Sequence, residues 1–329
     1  MRKKLYIVLY KILVDIERMF SLKEEVLGHL VAVITIIIWG ATYVSTKFLL
    51  VYLSPIEILF YRFLLAYLVL LLIYPKFKTL TNIREEFLFL GAGFTGGMLF
   101  FLIENIALKY TTAANVGLLV SISPILTALM AYYFIGVEKL SKKFLLGSIL
   151  AIVGVFLVIF NGEFNLQLNI FGDVLALLAA IVWACYSIIL RKIGKTHNYL
   201  YVTRKTFFYG LVTLLPILYI YGIEFKIEKL LSYSVLPNIL YLSLGASLLG
   251  FIMWNIAINL LGVVKASTYI YLVPFITIVI ARIILNEKLS HFSLLGGVLI
   301  LMGLYITEYG FNKIRIPNSL KNKAFREKL

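Results

Sequence analysis

Ten apolar runs, each near 20 residues long and parted by short charged links, constrain this chain more than any other feature. They cover roughly 27–50, 56–74, 87–108, 112–135, 143–160, 171–190, 200–221, 239–259, 264–285 and 293–309. A run of that length wound as a helix crosses a ~30 Å hydrocarbon core, and the helix satisfies its own backbone polar groups there. The composition excludes an ordinary water-soluble globule. Hydrophobic residues make up 62% and charged residues 14%, against about 45–50% and about 25% in soluble domains. The expected fold is an all-α membrane protein with ten transmembrane helices.

Charge sets the expected orientation. The formal charge is +15, which in a soluble chain would point to nucleic acid. Here the basic residues follow the loops instead. Counting tails and links alternately, one side collects 22 Lys and Arg and the other only Lys109, Lys226, Lys229 and Lys288. The basic side is cytoplasmic by the positive-inside rule, so both termini are placed in the cytoplasm of a multi-pass plasma-membrane protein. No nucleic-acid partner is expected. Residues 1–26 read as a cytoplasmic or interfacial segment with apolar residues at helical spacing, and 310–329 as a basic cytoplasmic tail.

The two halves repeat. Trp39–Lys47 (WGATYVSTK) matches Trp183–Arg191 (WACYSIILR), and Glu104-Asn-Ile-Ala-Leu matches Trp254-Asn-Ile-Ala-Ile. The string EKLS recurs at Glu138–Ser141 and Glu287–Ser290, each followed three residues on by LLG. Five spans per unit is odd, so the second unit enters the bilayer from the opposite side. The chain divides into repeats 27–160 and 171–309, inverted relative to one another. Transporters built this way hold substrate near the midplane, between the repeats.

These motifs together resemble the EamA-like members of the drug/metabolite transporter superfamily. The residues that carry the resemblance are Trp-Gly and Trp-Ala in helices 1 and 6, Asn-x-Ala-Leu or its variant in helices 3 and 8, Pro124 and Pro274, and the two EKLS strings. Val137 and Asn286 stand where the family usually has Gly before the Glu. The resemblance implies two inverted five-helix repeats and export of amino acids, other metabolites or drugs. Secondary transport of small metabolites such as amino acids, aromatic ones favoured, is the leading expectation. A broad exporter of drugs or nucleoside-like compounds is the alternative. A membrane-embedded enzyme or a sensor is the reading from another class.

Candidate site residues follow from depth and spacing. Trp39 with Tyr43, and Trp183 with Ser187, sit four residues apart on one helix face, at depths where an interfacial belt is not expected. With Trp254 they would wall an aromatic cavity, or simply pack helices. Pro124 and Pro274 each remove a helical hydrogen bond, leaving the carbonyls of Val120 and Ile270 without their usual donors. Ser121 and Tyr271 lie beside those carbonyls and join the substrate-binding set, with the prolines as hinges. Glu104 and Arg62 lie about 6 Å and about 9 Å inside the membrane at 1.5 Å per residue. Ionisable groups at such depth are functional suspects. Glu104 reads as the partner of a substrate ammonium or a coupling proton, or as half of a static ion pair with the gating residue Arg62. The lining is expected from helices 1, 3, 4, 6, 8 and 9.

Other patterns carry no chemistry. Gly91-Ala-Gly93-Phe-Thr-Gly96 spells a dinucleotide fingerprint but follows no strand. Gly93 with Gly97, Gly147 with Gly154, and Gly296 with Gly303 read as packing seams. The single cysteine, Cys185, excludes an intrachain disulfide. His29, His197 and His291 lack metal-ligand spacing, and no hydrolase elbow or P-loop occurs. No cofactor, metal or catalytic residue is expected. The partners expected are a small-molecule substrate and the lipid bilayer, with monomer and homodimer both open.

Overall fold

A computed structural model describes residues 23–76, 82–111, 113–136, 141–160, 169–194, 197–222, 227–285 and 290–310. The expected amphipathic segment at the N-terminus and the basic C-terminal tail fall almost wholly outside the described residues. The described residues hold ten long helices and no strand. These are α1 (Lys23–Leu49), α2 (Pro55–Ile73), α3 (Ile83–Tyr110), α4 (Ala113–Val120 continuing as Ser123–Ile135), α5 (Lys142–Phe160), α6 (Ile170–Ile193), α7 (Tyr199–Tyr221), α8 (Leu236–Leu261), α9 (263–285) and α10 (His291–Tyr309). Nine of them are long and apolar enough to cross a bilayer. The exception is α7, of 23 residues, which is rich in tyrosine and carries Arg204 and Lys205 in its first third. A helix lies at each of the ten expected positions.

Capping chemistry sets several helix starts. Ser54 accepts from the Glu57 amide while Glu57 reaches back to the Ser54 amide, with Pro55 as the first helical residue of α2. Asn82 caps α3, and Glu85 and Glu86 occupy its first turn. This polar turn starts α3 four residues before its apolar run does. Asn169, Asn198 and Ser290 cap α6, α7 and α10 in the same way. Large apolar side chains such as Leu72, Ile170 and Leu301 are left on the outer surface, the pattern of a bundle solvated by lipid.

The inverted repeat is visible in backbone detail. A π-helical stretch interrupts both α3 (Gly93–Leu99) and α8 (Tyr241–Leu249). Both α4 and α9 lose α-helical geometry just before their prolines, at 121–122 and at Tyr269–Leu272. The α5–α10 seam tells most. A Cβ on Gly147 would lie 2.5 Å from the Gly303 carbonyl oxygen, and one on Gly154 would lie 2.6 Å from that of Gly296. Gly147 corresponds to Gly296 and Gly154 to Gly303, so equivalent residues exchange partners, as a twofold axis requires. Gly93 and Gly97 close on Gly210 of α7. The three glycine pairs therefore form two seams, both joining helices within one chain.

The helices define two ends. The connections α2–α3, α4–α5, α6–α7 and α8–α9 lie at the end where α1 begins and α10 finishes, here called the terminal end. The connections α1–α2, α3–α4, α5–α6, α7–α8 and α9–α10 lie at the far end.

Candidate functional site

A cavity opens among six helices in the middle of the bundle. Trp39, Thr42 and Tyr43 of α1 and Arg62 of α2 form one side. Phe100, Phe101 and Glu104 of α3 and Trp183 of α6 form another, and Val120, Ile270 and Val273 of α4 and α9 close it. Room for water centres amounts to about 40 Å³, and one water needs at least ~10–15 Å³ on that measure. The cavity as it stands has room for a few waters and is too small for a metabolite.

Its aromatic wall is built on the repeat axis. Trp39 and Trp183, equivalent residues, meet edge to face with centroids 5.2 Å apart, and Trp254 lies 5.1 Å from Trp39. Phe100 adds a ring 4.8 Å from Trp183. Such contacts fix ring orientation beyond simple burial. Trp39 is also pinned by its indole N–H, which donates to the Ala246 carbonyl at 3.0 Å in the π-helical part of α8. Gly250 makes room for that indole, since a Cβ there would sit 2.5 Å from its Nε1.

The α1 backbone departs from α-helix at Ala41, beside these residues. Three successive carbonyls there accept from side chains. Tyr241 hydroxyl donates to Ile38, Thr42 hydroxyl to Trp39 at 2.7 Å, and Thr277 hydroxyl to Gly40 at 2.7 Å. Hydroxyls from α8 and α9 thus replace part of the helical ladder, which keeps the break satisfied inside the bundle.

Glu104 and Arg62 both face the cavity and are both buried. They lie about 9 Å and about 10 Å from the far ends of their helices at 1.5 Å per residue. Arg62 and Tyr43 line the same cavity as Glu104. The expected static ion pair is not formed, because no contact within 4.0 Å joins Glu104 to Arg62 among the described residues. Arg62 instead donates from Nε to Ser247 Oγ at 2.6 Å and lies over Phe101, 4.1 Å from its centroid. The two charges share one cavity with space between them.

Several sequence expectations need correction. Ser121, Ser187, Trp254 and Tyr271 do not line the cavity. Ser121 and Ser187 turn their hydroxyls back onto their own helices, to Gly117 at 2.6 Å and Trp183 at 3.0 Å. Trp254 is fully buried behind Trp39 and Trp183. Tyr271 is fully buried on the side towards α5. In both repeats the residue one place earlier, Val120 or Ile270, faces the cavity, because the non-α turn before each proline rotates the face. The same turn closes the carbonyl expected to be open at Ile270, which accepts from the Val273 amide. The lining therefore takes α2 in place of α8, which stands behind it.

Of the other predicted residues, Trp39, Tyr43, Glu104, Trp183 and the gating residue Arg62 line the cavity. Pro124 and Pro274 sit at the helix breaks rather than in the wall. The sequence reading missed Phe100, Phe101 and Thr42. Extending the Glu104 face back one turn of α3 would have found both phenylalanines. Val120, Ile270 and Val273 carry no signal beyond being apolar.

Polar contacts tie the helices to one another at both ends. At the far end Lys47 Nζ donates to the Leu108 carbonyl at 2.5 Å, capping α3, rather than reaching for the membrane surface as a lysine near a helix end would. Ser45 donates to Asn238 at 2.8 Å, and Thr111 donates to Asp173 at 2.9 Å. At the terminal end Lys265 bridges Glu25 and Glu308, and His29 Nδ1 lies 2.6 Å from the Tyr269 hydroxyl. Glu86 meets Lys205 at 2.5 Å and accepts from Tyr209.

Similarity to known proteins agrees with this architecture. A crystal structure matches with a TM-score of 0.67 at 18% identity, covering 85% of this chain and 95% of that one. That likeness concerns the fold. A protein of Archaeoglobus fulgidus named as an uncharacterized transporter is 31% identical over 283 residues, 85% of this chain and 96% of its own length. Proteins named probable amino-acid metabolite efflux pumps are similar in Salmonella typhimurium (28% identical, 85% of this chain and 94% of that one) and Escherichia coli (27%, 88% and 96%). The model of the EamA-like transporter family matches residues 26–160 and again 170–309. The protein is a multi-pass membrane transporter, and the chain belongs to the EamA-like transporter family.

Proposed function

We propose that the protein exports small metabolites of the amino-acid type, aromatic ones favoured, by alternating access around the central cavity. One observation carries the reading: a carboxylate, Glu104, and a guanidinium, Arg62, face a single aromatic-walled cavity without closing on each other. An α-amino acid carries the complementary pair. Its ammonium would sit by Glu104 and its carboxylate by Arg62, in the bidentate geometry that guanidinium favours. An aromatic side chain would then lie against Phe100, Trp39 and Trp183. The relatives named as amino-acid metabolite efflux pumps support the same class. The small volume supports an occluded state, from which rocking of the two repeats opens each end in turn.

The binding residues of this proposal are Trp39, Tyr43, Glu104 and Trp183, with Arg62, Pro124 and Pro274 moving or gating. The charge bias of the loops supports an orientation with both termini in the cytoplasm, in which the far end opens outward. The glycine seams are used within the chain, which supports a monomer over a dimer built on them. A broader exporter of flat aromatic drugs or nucleosides is the second reading, favoured by the predominance of rings in the lining.

Counterflow in proteoliposomes tests the proposal, because exchange requires alternating access and no coupling ion. Labelled tryptophan, tyrosine or phenylalanine should accumulate against the unlabelled amino acid, and Trp39→Ala should abolish accumulation with the helices intact. No exchange of any amino acid by folded protein would sink the substrate class. Exchange of nucleosides or drugs alone would favour the second reading.

A further inference from the structure

The π-helical stretches of α3 and α8 hold equivalent places, yet they meet their neighbours differently. In the first repeat Gly97 lies against α7, where a Cβ would come within 3.0 Å of the Gly210 Cα. Thr95 turns its hydroxyl back onto the Gly91 carbonyl at 2.7 Å. In the second repeat, at the offset that relates Glu104 to Trp254, Ser247 stands where Gly97 does. Ser247 is fully buried and reaches α2, where its Oγ accepts from Arg62 Nε at 2.6 Å. Next to it, the Ala246 carbonyl accepts from the Trp39 indole at 3.0 Å. The α8 stretch is no part of the cavity wall. It holds two wall residues, Arg62 and Trp39, from behind, and π-helical turns recur at functional sites.

The contact with Ser247 decides which edge of the guanidinium is on offer. A guanidinium is flat, carries five N–H donors and can present two nitrogens in parallel to a carboxylate. In Arg62 the edge that contains Nε is taken by Ser247. One face lies over Phe101, with the guanidinium carbon 4.1 Å from the ring centroid. Phe101 is itself fixed by Phe63, edge to face at 5.2 Å. The two Nη nitrogens make no hydrogen bond among the described residues, and Arg62 lines the cavity. Both the plane of the fork and its direction are therefore set before a solute arrives. Ordering of this kind lowers the entropic cost of binding.

We infer that Ser247 is a positioning residue that makes the cavity select solutes carrying a carboxylate. It acts through Arg62, by holding the guanidinium with its Nη pair free, and does not touch the solute. The assignment deepens the amino-acid reading above and rests on it. A solute that carries the ammonium without the carboxylate gains nothing from this tether. Amino acids and plain amines should therefore respond differently to its loss. Ser243 supplies the contrast. It is fully buried on the same π-helical stretch, but its hydroxyl donates to the Ile239 carbonyl of its own helix at 2.7 Å.

Counterflow of labelled tryptophan in proteoliposomes, with unlabelled tryptophan and tryptamine as competitors, reads the tether. Tryptamine keeps the ring and the ammonium and lacks the carboxylate. Ser247→Ala should raise the half-saturating tryptophan concentration about tenfold, the loss expected when a hydrogen bond to a charged group is removed. The maximal rate and the inhibitory concentration of tryptamine should each stay within about twofold, on the same scale. Ser247→Gly, which installs the residue found at the equivalent place in the first repeat, should behave alike and serves if the alanine variant misfolds. Ser247→Thr keeps the hydroxyl and should restore tryptophan affinity, and Ser243→Ala should leave it unmoved. Equal shifts for tryptophan and tryptamine, a fall in maximal rate alone, or no shift at all would overturn the role of Ser247 while leaving amino-acid transport in place. A wild-type protein that exchanges no amino acid would overturn both readings together.

Discussion

Glu104 and Trp254 hold equivalent places in the two repeats, each followed by Asn-Ile-Ala, yet they meet different surroundings. Glu104 faces the cavity with Arg62 and Tyr43, while Trp254 is sealed behind Trp39 and Trp183. The basic residues diverge in the same way. Arg62 lines the cavity, whereas Arg204 of α7 is turned to the terminal end and donates to the carbonyls of Tyr74 and Lys76. The backbone devices, by contrast, are shared: paired π-helical stretches, paired breaks before proline and a self-complementary glycine seam. Duplication thus supplies a twofold scaffold, and side chains break the symmetry at the cavity. A twofold-symmetric site would suit a symmetric ligand, and the proposed amino-acid substrate is not one.

The comparison breaks if the wrong member of a pair proves structural. Trp254→Ala removes a fully buried indole from the tryptophan cluster and should cost about 3–5 kcal/mol of stability, read by chemical denaturation in detergent. Glu104→Gln should leave the denaturation curve almost unmoved. A stable Trp254→Ala would show that its burial does not serve packing.

The seam offers the next largest effect and sharpens the shared part. Gly154→Ala and Gly303→Ala place a methyl group within 2.6 Å of a backbone carbonyl oxygen. Overpacking of this kind costs about 1–3 kcal/mol, and the two variants should lose equal stability if the twofold holds. Unequal losses beyond about 1 kcal/mol would mean that the repeats relax differently.

Recognition should separate the arginines. Arg62→Lys keeps the charge but loses the planar fork, so counterflow should fall about tenfold, equivalent to roughly 1.4 kcal/mol. Arg204→Lys should keep counterflow within about twofold, since a lysine near a helix end still reaches backbone carbonyls. Equal losses would place both arginines in scaffolding. The smallest effect belongs to the caps. Ser54→Ala should cost about 1 kcal/mol, read as a lowered unfolding midpoint with counterflow unchanged.

Much of the fold was legible because the bilayer enforces simple rules. Helix length, the alternation of basic loops and the odd number of spans per repeat follow from hydropathy and charge, which are local properties. The far-end position of Glu104 and Arg62 follows from the same rules plus the 3.6-residue period, and the equivalence of Trp39 and Trp183 from the repeat. Ser121 and Tyr271 were misplaced because the period fails where a proline breaks the ladder, and a single residue of rotation exchanges wall for core. Ser187 was misplaced because a helical hydroxyl can bond its own backbone instead of a cavity.

By itself, then, the sequence determined the ten spans, the inverted repeat and the few charges placed at membrane depth. Tertiary structure alone decided which face of each span meets the cavity, that Glu104 and Arg62 stay apart, and that Ser247 holds the guanidinium. The physical reason is range. Burial in lipid is set residue by residue along the chain, whereas the rotation of each helix is set by contacts such as the meeting of Arg62 with Ser247, 185 residues away.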